Sequence, residues 1–329
     1  MSTPFAITAD DVRNAAGLLA GVAVRTPLLE YAPLNARVGG RVLVKFEGAQ
    51  HTGSFKFRGA YNRLARIADD AKPAGVVAWS SGNHAQGVAA AARRLGMPAG
   101  IVMPADAPAI KLANTRALGA EIILYDRHSE SREAIATELA MRRGAVLVPS
   151  FDDPFVIAGQ GTAGLEILEQ AGEAGVAIGR VLVCCGGGGL VAGIATAIKD
   201  SAPDVAVYCV EPAAFDDTTR SLASGRIERN AAVSGSICDA IVTPQPGNIT
   251  FPILKRLAGA GIVVTDEEAL RAMALAFSRL KIVVEPGGAV ALAAALFHGD
   301  ALESDTVIAV TSGGNVDSDI FAMALERFG

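Results

Sequence analysis

Short unbroken apolar runs alternate along this chain with longer stretches in which apolar residues recur every three or four positions. The runs Arg41-Val42-Leu43-Val44-Lys45-Phe46, Val76-Val77-Ala78-Trp79, Ile101-Val102-Met103, Glu121-Ile122-Ile123-Leu124-Tyr125 and Ala145-Val146-Leu147-Val148 predict strands. The spacing between them predicts helices over 85–95, 109–118 and 131–142, and Thr8-Ala9-Asp10-Asp11 can cap a first helix reaching residue 21. A second alternating set follows: a helix over 161–170, a strand from Val181 through Cys185, a helix over 190–198, and a strand from Val205 through Val210. Helices over 266–280 and 288–297 precede a last strand, Thr306-Val307-Ile308-Ala309-Val310. Runs without polar alternation belong in sheets buried on both faces, which requires parallel strands covered by helices. The expected fold class is α/β, with two open α/β domains, parallel-type twisted sheets and a ligand cleft between them.

Four consecutive glycines, Gly186, Gly187, Gly188 and Gly189, stand between the Val181–Cys185 run and the helix that follows it. A loop without side chains lets several backbone N–H groups converge on an anion, and the helix N-terminus adds partial positive charge. No Lys-Ser or Lys-Thr follows, so the nucleotide-triphosphate loop is not met, and no acidic residue completes the dinucleotide pattern. The alternative is a turn that permits close helix–strand packing, although four adjacent glycines lose much chain entropy on ordering.

Composition narrows the partners. Of 329 residues, 51% are hydrophobic but only 5% aromatic, which suits Ala- and Val-rich helices on parallel strands. A net charge of −5 with both signs interspersed argues against nucleic acid or an anionic membrane as the main partner. The start Met1-Ser2-Thr3-Pro4-Phe5-Ala6 lacks a basic, long apolar leader, and a cytoplasmic location is expected. Cys184, Cys185, Cys209 and Cys238 have no paired metal-ligand spacing and read as buried, reduced thiols.

Three strand-end loops are polar and glycine-rich: Ser80-Ser81-Gly82-Asn83-His84, the tetraglycine, and Thr311-Ser312-Gly313-Gly314-Asn315. In Ser54-Phe55-Lys56 a lysine sits between large apolar residues at a predicted helix start. A desolvated lysine there has a lowered pKa, as imine formation needs; the alternative is a surface lysine that snorkels. A phosphate cup without a nucleotide signature, together with such a lysine, points to an aldehyde cofactor that carries a phosphate.

The segments Lys45-Phe46-Glu47, Thr52-Gly53-Ser54-Phe55-Lys56-Phe57-Arg58-Gly59-Ala60, Ser80 to Gln86, and Gly159-Gln160-Gly161-Thr162 resemble the serine/threonine dehydratase family. Gly186 to Leu190, Glu285-Pro286-Gly287-Gly288-Ala289 and Ser312-Gly313-Gly314-Asn315 extend the resemblance over nearly the whole chain. It implies the tryptophan-synthase-β-like fold of pyridoxal-phosphate enzymes, a group that includes the serine racemases. It also implies a large cofactor domain from 1–66 and 154–329, a small mobile substrate-loop domain over 75–144, and a homodimer. The chain ends soon after Asn315, which implies the shorter, catabolic kind without a C-terminal regulatory domain.

Carried over, the resemblance has Lys56 hold pyridoxal 5′-phosphate as a Schiff base and act as the base at Cα. Phe55 and Glu285 would line the cofactor, and Asn83 would bond its phenolic oxygen. Gly186, Gly187, Gly188 and Gly189 would hold its phosphate, and Ser312 would face its pyridine nitrogen. Ser80, Ser81, Asn83 and His84 would bind the substrate carboxylate. Ser81 also matches the serine that protonates the opposite face in the racemases, and is equally suited to cap a helix. Glu211, the Phe215 carbonyl and Asp217 match the cation site of metal-using members, where Mg²⁺ or Ca²⁺ would suit oxygen ligands. Arg132 matches a position that can meet a second substrate carboxylate, and its alternative is an exposed helix-surface arginine. The chain reads Cys238-Asp239-Ala240 where the family usually reads Ala-Asp-Gly, which places a methyl close to the cofactor.

The expected activity is a pyridoxal-phosphate-dependent dehydratase that converts a β-hydroxy-α-amino acid, such as L-threonine or L-serine, to a 2-oxo acid and ammonia. The alternatives are a 3-hydroxyaspartate or hydroxyectoine-utilisation dehydratase, a serine or aspartate racemase, and a non-catalytic ligand-binding homologue.

Overall fold

The computed structural model describes residues 5–80, 82–107, 109–299 and 306–329. Ten strands form two sheets: β1 (Leu28–Glu30), β2 (Arg41–Phe46), β3 (Val76–Trp79), β4 (Ala99–Pro104), β5 (Glu121–Tyr125), β6 (Val146–Leu147), β7 (Arg180–Cys184), β8 (Ala206–Pro212), β9 (Ile262–Val264) and β10 (Thr306–Thr311). One sheet runs β1-β2-β10-β7-β8-β9 and the other β5-β4-β3-β6. Every pairing is parallel except β1 with β2, an antiparallel edge that the apolar pattern did not announce. β1 and β9 are three-residue strands, too short to register as runs.

The unbroken runs are buried as their composition requires. Val42, Leu43 and Val44 in β2, and Val307 to Val310 in β10, are at most 5% exposed, with helices on both faces of the sheet. On one face lie the Pro286–Phe297 and Asp266–Leu275 helices, and on the other the Pro154–Glu173 and Gly189–Ser201 helices. The four-stranded sheet has its own apolar clusters, built on the alanine-rich Asn83–Arg94 helix and on the Arg132–Arg143 helix. Among the described residues no helix is long and apolar enough to cross a membrane. All four cysteines are free and buried.

Helix boundaries differ from the spacing at two informative places. The 161–170 helix extends to Pro154–Glu173, because Asp153 caps it and Pro154 opens it. The 266–280 helix ends as α at Leu275 and continues as one π turn, Ala276–Leu280, closed by Lys281 in the left-handed region at φ 59°. Thr8 makes the expected capping box with Asp11.

One close approach positions the chemistry. Where the Lys56–Leu64 helix crosses the Pro154–Glu173 helix, a Cβ on Gly159 would stand 2.6 Å from Gly59 Cα and 2.7 Å from the Arg58 carbonyl oxygen. Only glycine allows that backbone contact.

Candidate active site

Lys56 opens the Lys56–Leu64 helix and is fixed from both sides. Upstream, Ser54 bridges to Gly313 and the Phe55 N–H donates to the Ser312 carbonyl at 3.1 Å. Downstream, the buried Arg58 guanidinium donates to Glu47 through Nε and Nη2, both at 2.8 Å. It also reaches Glu166 at 2.6 and 2.9 Å. Lys45 Nζ meets the same Glu166 at 2.5 Å and the Thr26 carbonyl at 2.7 Å. This buried ionic web ties β2, the Lys56 helix and the Pro154–Glu173 helix into one support.

The Lys56 side chain is half-buried and lines two adjoining cavities. Its Nζ donates to the Ser150 carbonyl at 2.9 Å and lies 5.1 Å from the Phe55 ring centroid. Burial lowers its pKa to about 8, with Glu285 pulling the other way. An amine so placed is available unprotonated at modestly alkaline pH, which a surface lysine is not.

The smaller cavity, about 70 Å³, has Gly186 through Gly189 on one wall, with Phe55, Lys56, Asn83, Cys184 and Ser312 around it. Gly188 sits at φ 89° and Gly189 begins the following helix, so the loop presents bare N–H groups at a helix start. A Cβ at Gly187 would overlap the Phe151 ring. The loop is braced from behind, where the Gly187 carbonyl accepts from Thr250 Oγ1 at 2.7 Å and the Gly247 N–H at 3.2 Å. Across the cavity, Asn83 Nδ2 donates to Glu285 Oε1 at 2.6 Å, while Asn83 Oδ1 accepts from Asn315 Nδ2 at 2.7 Å. Burial pushes Glu285 up to about 8, against the pull of the Asn83 hydrogen bond, so this carboxyl is protonated at neutral pH. Ser312, 3% exposed, supplies a neutral hydroxyl. Gln160 Nε2 and Thr243 Oγ1, both on cavity-lining residues, are buried without partners among the described residues. A bare anion cup, a low-pKa amine and a neutral hydroxyl around one space, with the Glu285 carboxyl bonded to Asn83 behind it, fit a flat phosphorylated aldehyde.

The larger cavity, about 330 Å³, adjoins the first and is also lined by Lys56, Asn83 and Glu285. Ser80, His84 and Arg132 line it as well. Ser81 lies outside the described residues. Ser80 Oγ accepts from the Gly82 N–H at 3.2 Å. His84 is buried with Nε2 donating to the Val148 carbonyl at 3.0 Å. Burial, helped by Lys56, pushes its pKa down to about 3, so the ring is neutral and Nδ1 is an acceptor without a partner among the described residues. The Asn83–Arg94 helix starts at the wall of this space, with Gly82, Asn83 and His84 lining it, and its first N–H groups have no intrahelical partner.

Glu211, Phe215 and Asp217 gather at the end of β8, away from both cavities. Glu211 accepts from the Thr218 N–H at 3.0 Å and from the Thr219 N–H and hydroxyl at 2.7 Å each. Burial and the nearby Asp217 push Glu211 up to about 8, and burial pushes Asp217 to about 6 against its Asn230 hydrogen bond. Asp217 Oδ2 is buried with no partner among the described residues. Among the described residues no group of three His, Cys, Asp or Glu side chains is placed to hold a metal. Two facing carboxylates and one orphaned oxygen suit a cation only if backbone carbonyls and waters complete the shell.

Sequence reasoning gave no role to Glu47, Arg58, Glu166, Asn315, Lys111 or Thr243. Charged residues inside otherwise apolar elements, Lys45 in β2 above all, were the available signal for the ionic web. Lys111, Asp239 and Thr243 come from distant segments, and only the fold brings them to the cavity wall.

The sequence profile of the family described as "Pyridoxal-phosphate dependent enzyme" matches residues 19–313. The chain is 45% identical to an L-threo-3-hydroxyaspartate ammonia-lyase of Pseudomonas sp. over 316 residues, covering 96% of this chain and 98% of that one. It is 42% identical to an L-threonine ammonia-lyase of Thermotoga maritima over 323 residues, covering 98% of this chain and 79% of that one. A solved structure of maize serine racemase superposes with a TM-score of 0.90 at 36% identity, covering 98% of each chain.

Proposed function

The chain belongs to the pyridoxal-phosphate dependent enzymes, and on that premise we propose that Lys56 anchors the cofactor in the smaller cavity while the larger one admits the substrate. The enzyme is a lyase of the ammonia-lyase kind: a β-hydroxy-α-amino acid loses water across Cα–Cβ, and the resulting enamine tautomerises to an imine that takes up one water and releases ammonia, leaving a 2-oxo acid. Bound pyridoxal phosphate supplies an electron sink for the Cα of the amino acid.

The chain's own residues supply the rest. The four glycines hold the phosphate through backbone N–H groups at a helix start. Phe55 would pack on the ring, Ser312 would meet its nitrogen with a neutral hydroxyl, and Asn83, held between Glu285 and Asn315, would bond its phenolic oxygen. Lys56 removes the proton at Cα, a task its lowered pKa permits. The Ser80 hydroxyl and the first N–H groups of the Asn83–Arg94 helix receive the substrate carboxylate. His84, neutral and with Nδ1 an acceptor, offers that carboxylate no proton near neutral pH and lines the pocket instead. Ser81 would serve as the opposite-face acid in any racemisation.

The finer assignments belong to the same proposal. Residues 1–66 and 154–329 form the cofactor domain and 75–144 a smaller mobile one, and the protein is a homodimer. Mg²⁺ or Ca²⁺ binds at Glu211, the Phe215 carbonyl and Asp217, completed by water. Arg132 in the larger cavity favours, as a second reading, a substrate with an acidic side chain.

The single observation that carries the proposal is the buried Lys56 amine at the junction of a bare anion cup and an open cavity. A screen for 2-oxo acid release over serine, threonine and the 3-hydroxyaspartate stereoisomers tests it. Release from at least one by the cofactor-loaded protein, abolished in Lys56→Ala, is expected. Release from none overturns the lyase assignment.

A further inference from the structure

The larger cavity contains an ammonium group that the elimination does not use. Lys111 is the third residue of the Ala109–Ala117 helix and lines the cavity wall with its side chain only 12% exposed. Its partners are Asp239 Oδ2 at 3.4 Å and Asp317 Oδ2 at 3.8 Å. Both distances exceed those of a good charge-assisted hydrogen bond, about 2.7–2.9 Å. Both carboxylates are also well exposed, at 62% and 41%, so solvent screens them. Lys111 Nζ makes no other hydrogen bond to the protein among the described residues. A desolvated ammonium without a close partner is unfavourable, and a cation in a helix's first turn is disfavoured further by the dipole. An anion that enters the cavity relieves both.

The other charges of the wall are largely committed. Asp152 accepts from the backbone N–H groups of Asn248, Ile249 and Thr250 at 2.9, 2.8 and 3.3 Å. Glu285 is bonded to Asn83. Arg132 is bonded among the described residues only through Nε, to its exposed neighbour Glu133 at 2.9 Å. Two cations therefore line a cavity in which, on the reading above, Ser80 and the start of the Asn83–Arg94 helix receive the α-carboxylate. We infer that Lys111 is a specificity-determining residue that receives a side-chain carboxylate of the substrate, making the substrate an acidic β-hydroxy-α-amino acid. This rests on the elimination reading above. In the absence of substrate, Asp239 and Asp317 hold the ammonium loosely at the mouth; with substrate bound, they stay solvated while Lys111 turns inward.

The test compares the holoenzyme with its Lys111→Gln and Lys111→Arg variants on 3-hydroxyaspartate and on serine. Succinate, an unreactive dicarboxylate, is titrated calorimetrically into the same proteins. The wild type should favour 3-hydroxyaspartate. Lys111→Gln should lose roughly 10- to 100-fold in kcat/KM on it, as for one hydrogen bond to a charged group, mainly through KM. The loss on serine should be smaller, Lys111→Arg should recover part of the selectivity, and succinate should bind more weakly to the Gln variant. Equal losses on both substrates, or unchanged succinate affinity, would overturn the inference and leave Lys111 a structural clasp. If the wild type releases no 2-oxo acid from any substrate, the elimination reading fails instead, and the succinate titration still judges the carboxylate site.

Discussion

Replacing Arg58 with methionine removes the cation from the buried web beneath Lys56 and leaves the carboxylates behind. Glu47 is fully buried, and without Arg58 its one remaining hydrogen bond is from the Thr26 hydroxyl. Glu166 keeps Lys45. Breaking a buried pair on one side costs about 3–5 kcal/mol. At roughly 1.5 °C per kcal/mol for a chain of 329 residues, the melting temperature should fall by about 4–7 °C. The effect carries a pH signature. In the wild type burial would raise Glu47, but the Arg58 charge and hydrogen bonds outweigh it and hold the carboxyl below its ordinary value. That contribution is present above the unfolded-state pKa and is lost as pH falls through the folded one. In Arg58→Met the sign reverses: burial raises the Glu47 pKa, so the penalty is full above the folded value and vanishes below the unfolded value. Scanning calorimetry from about pH 8 down to about pH 5 should show the gap between the two proteins narrowing. Glu47→Gln combined with Arg58→Met should recover part of the loss. A melting shift under about 2 °C, or a gap that widens with acid, would refute the reasoning.

Two further outcomes follow from the same structure. In Gly187→Ala the new methyl overlaps the Phe151 ring and pushes it toward the cofactor cavity; at roughly 1–3 kcal/mol for such overpacking, cofactor affinity measured by fluorescence titration should weaken by about 5- to 150-fold, and unchanged affinity would displace the phosphate from that loop. At the β8 end, the folded pKa values of Glu211 and Asp217 are raised to about 8 and about 6, so apo stability from this pair is full below the unfolded values and is lost as pH rises through the folded ones. Added Mg²⁺ or Ca²⁺ should therefore raise the melting temperature of chelator-treated protein more at about pH 8 than at about pH 5, and should do nothing in Asp217→Asn. No shift at either pH would remove the cation from the account.

Much of this architecture was legible because parallel strands buried on both faces leave unbroken apolar runs. β2, β3 and β5 fall where those runs stand. β1 and β9 were invisible because three residues at a sheet edge carry no period, and the Ala276–Leu280 turn was read as α because its spacing continues the helix. At the site, Lys56, Asn83, Ser312 and the four glycines could be named in advance, since each lies in a loop whose composition is odd for its place. The web around Arg58 could not, because its partners stand 11 and 108 residues away in sequence and nothing local specifies which charges meet. Lys111 was missed for the same reason: its significance lies in the aspartates and the cavity it faces, not in its helix.

The central claim is that Lys56 holds the cofactor in this cleft. Borohydride reduction of the holoprotein, followed by proteolysis and mass spectrometry, tests it directly. A reduced pyridoxyl-phosphate adduct on the peptide carrying Lys56, and no such adduct in Lys56→Ala, is the expected result. An adduct on another lysine, or none on a protein that still releases 2-oxo acid, would contradict it.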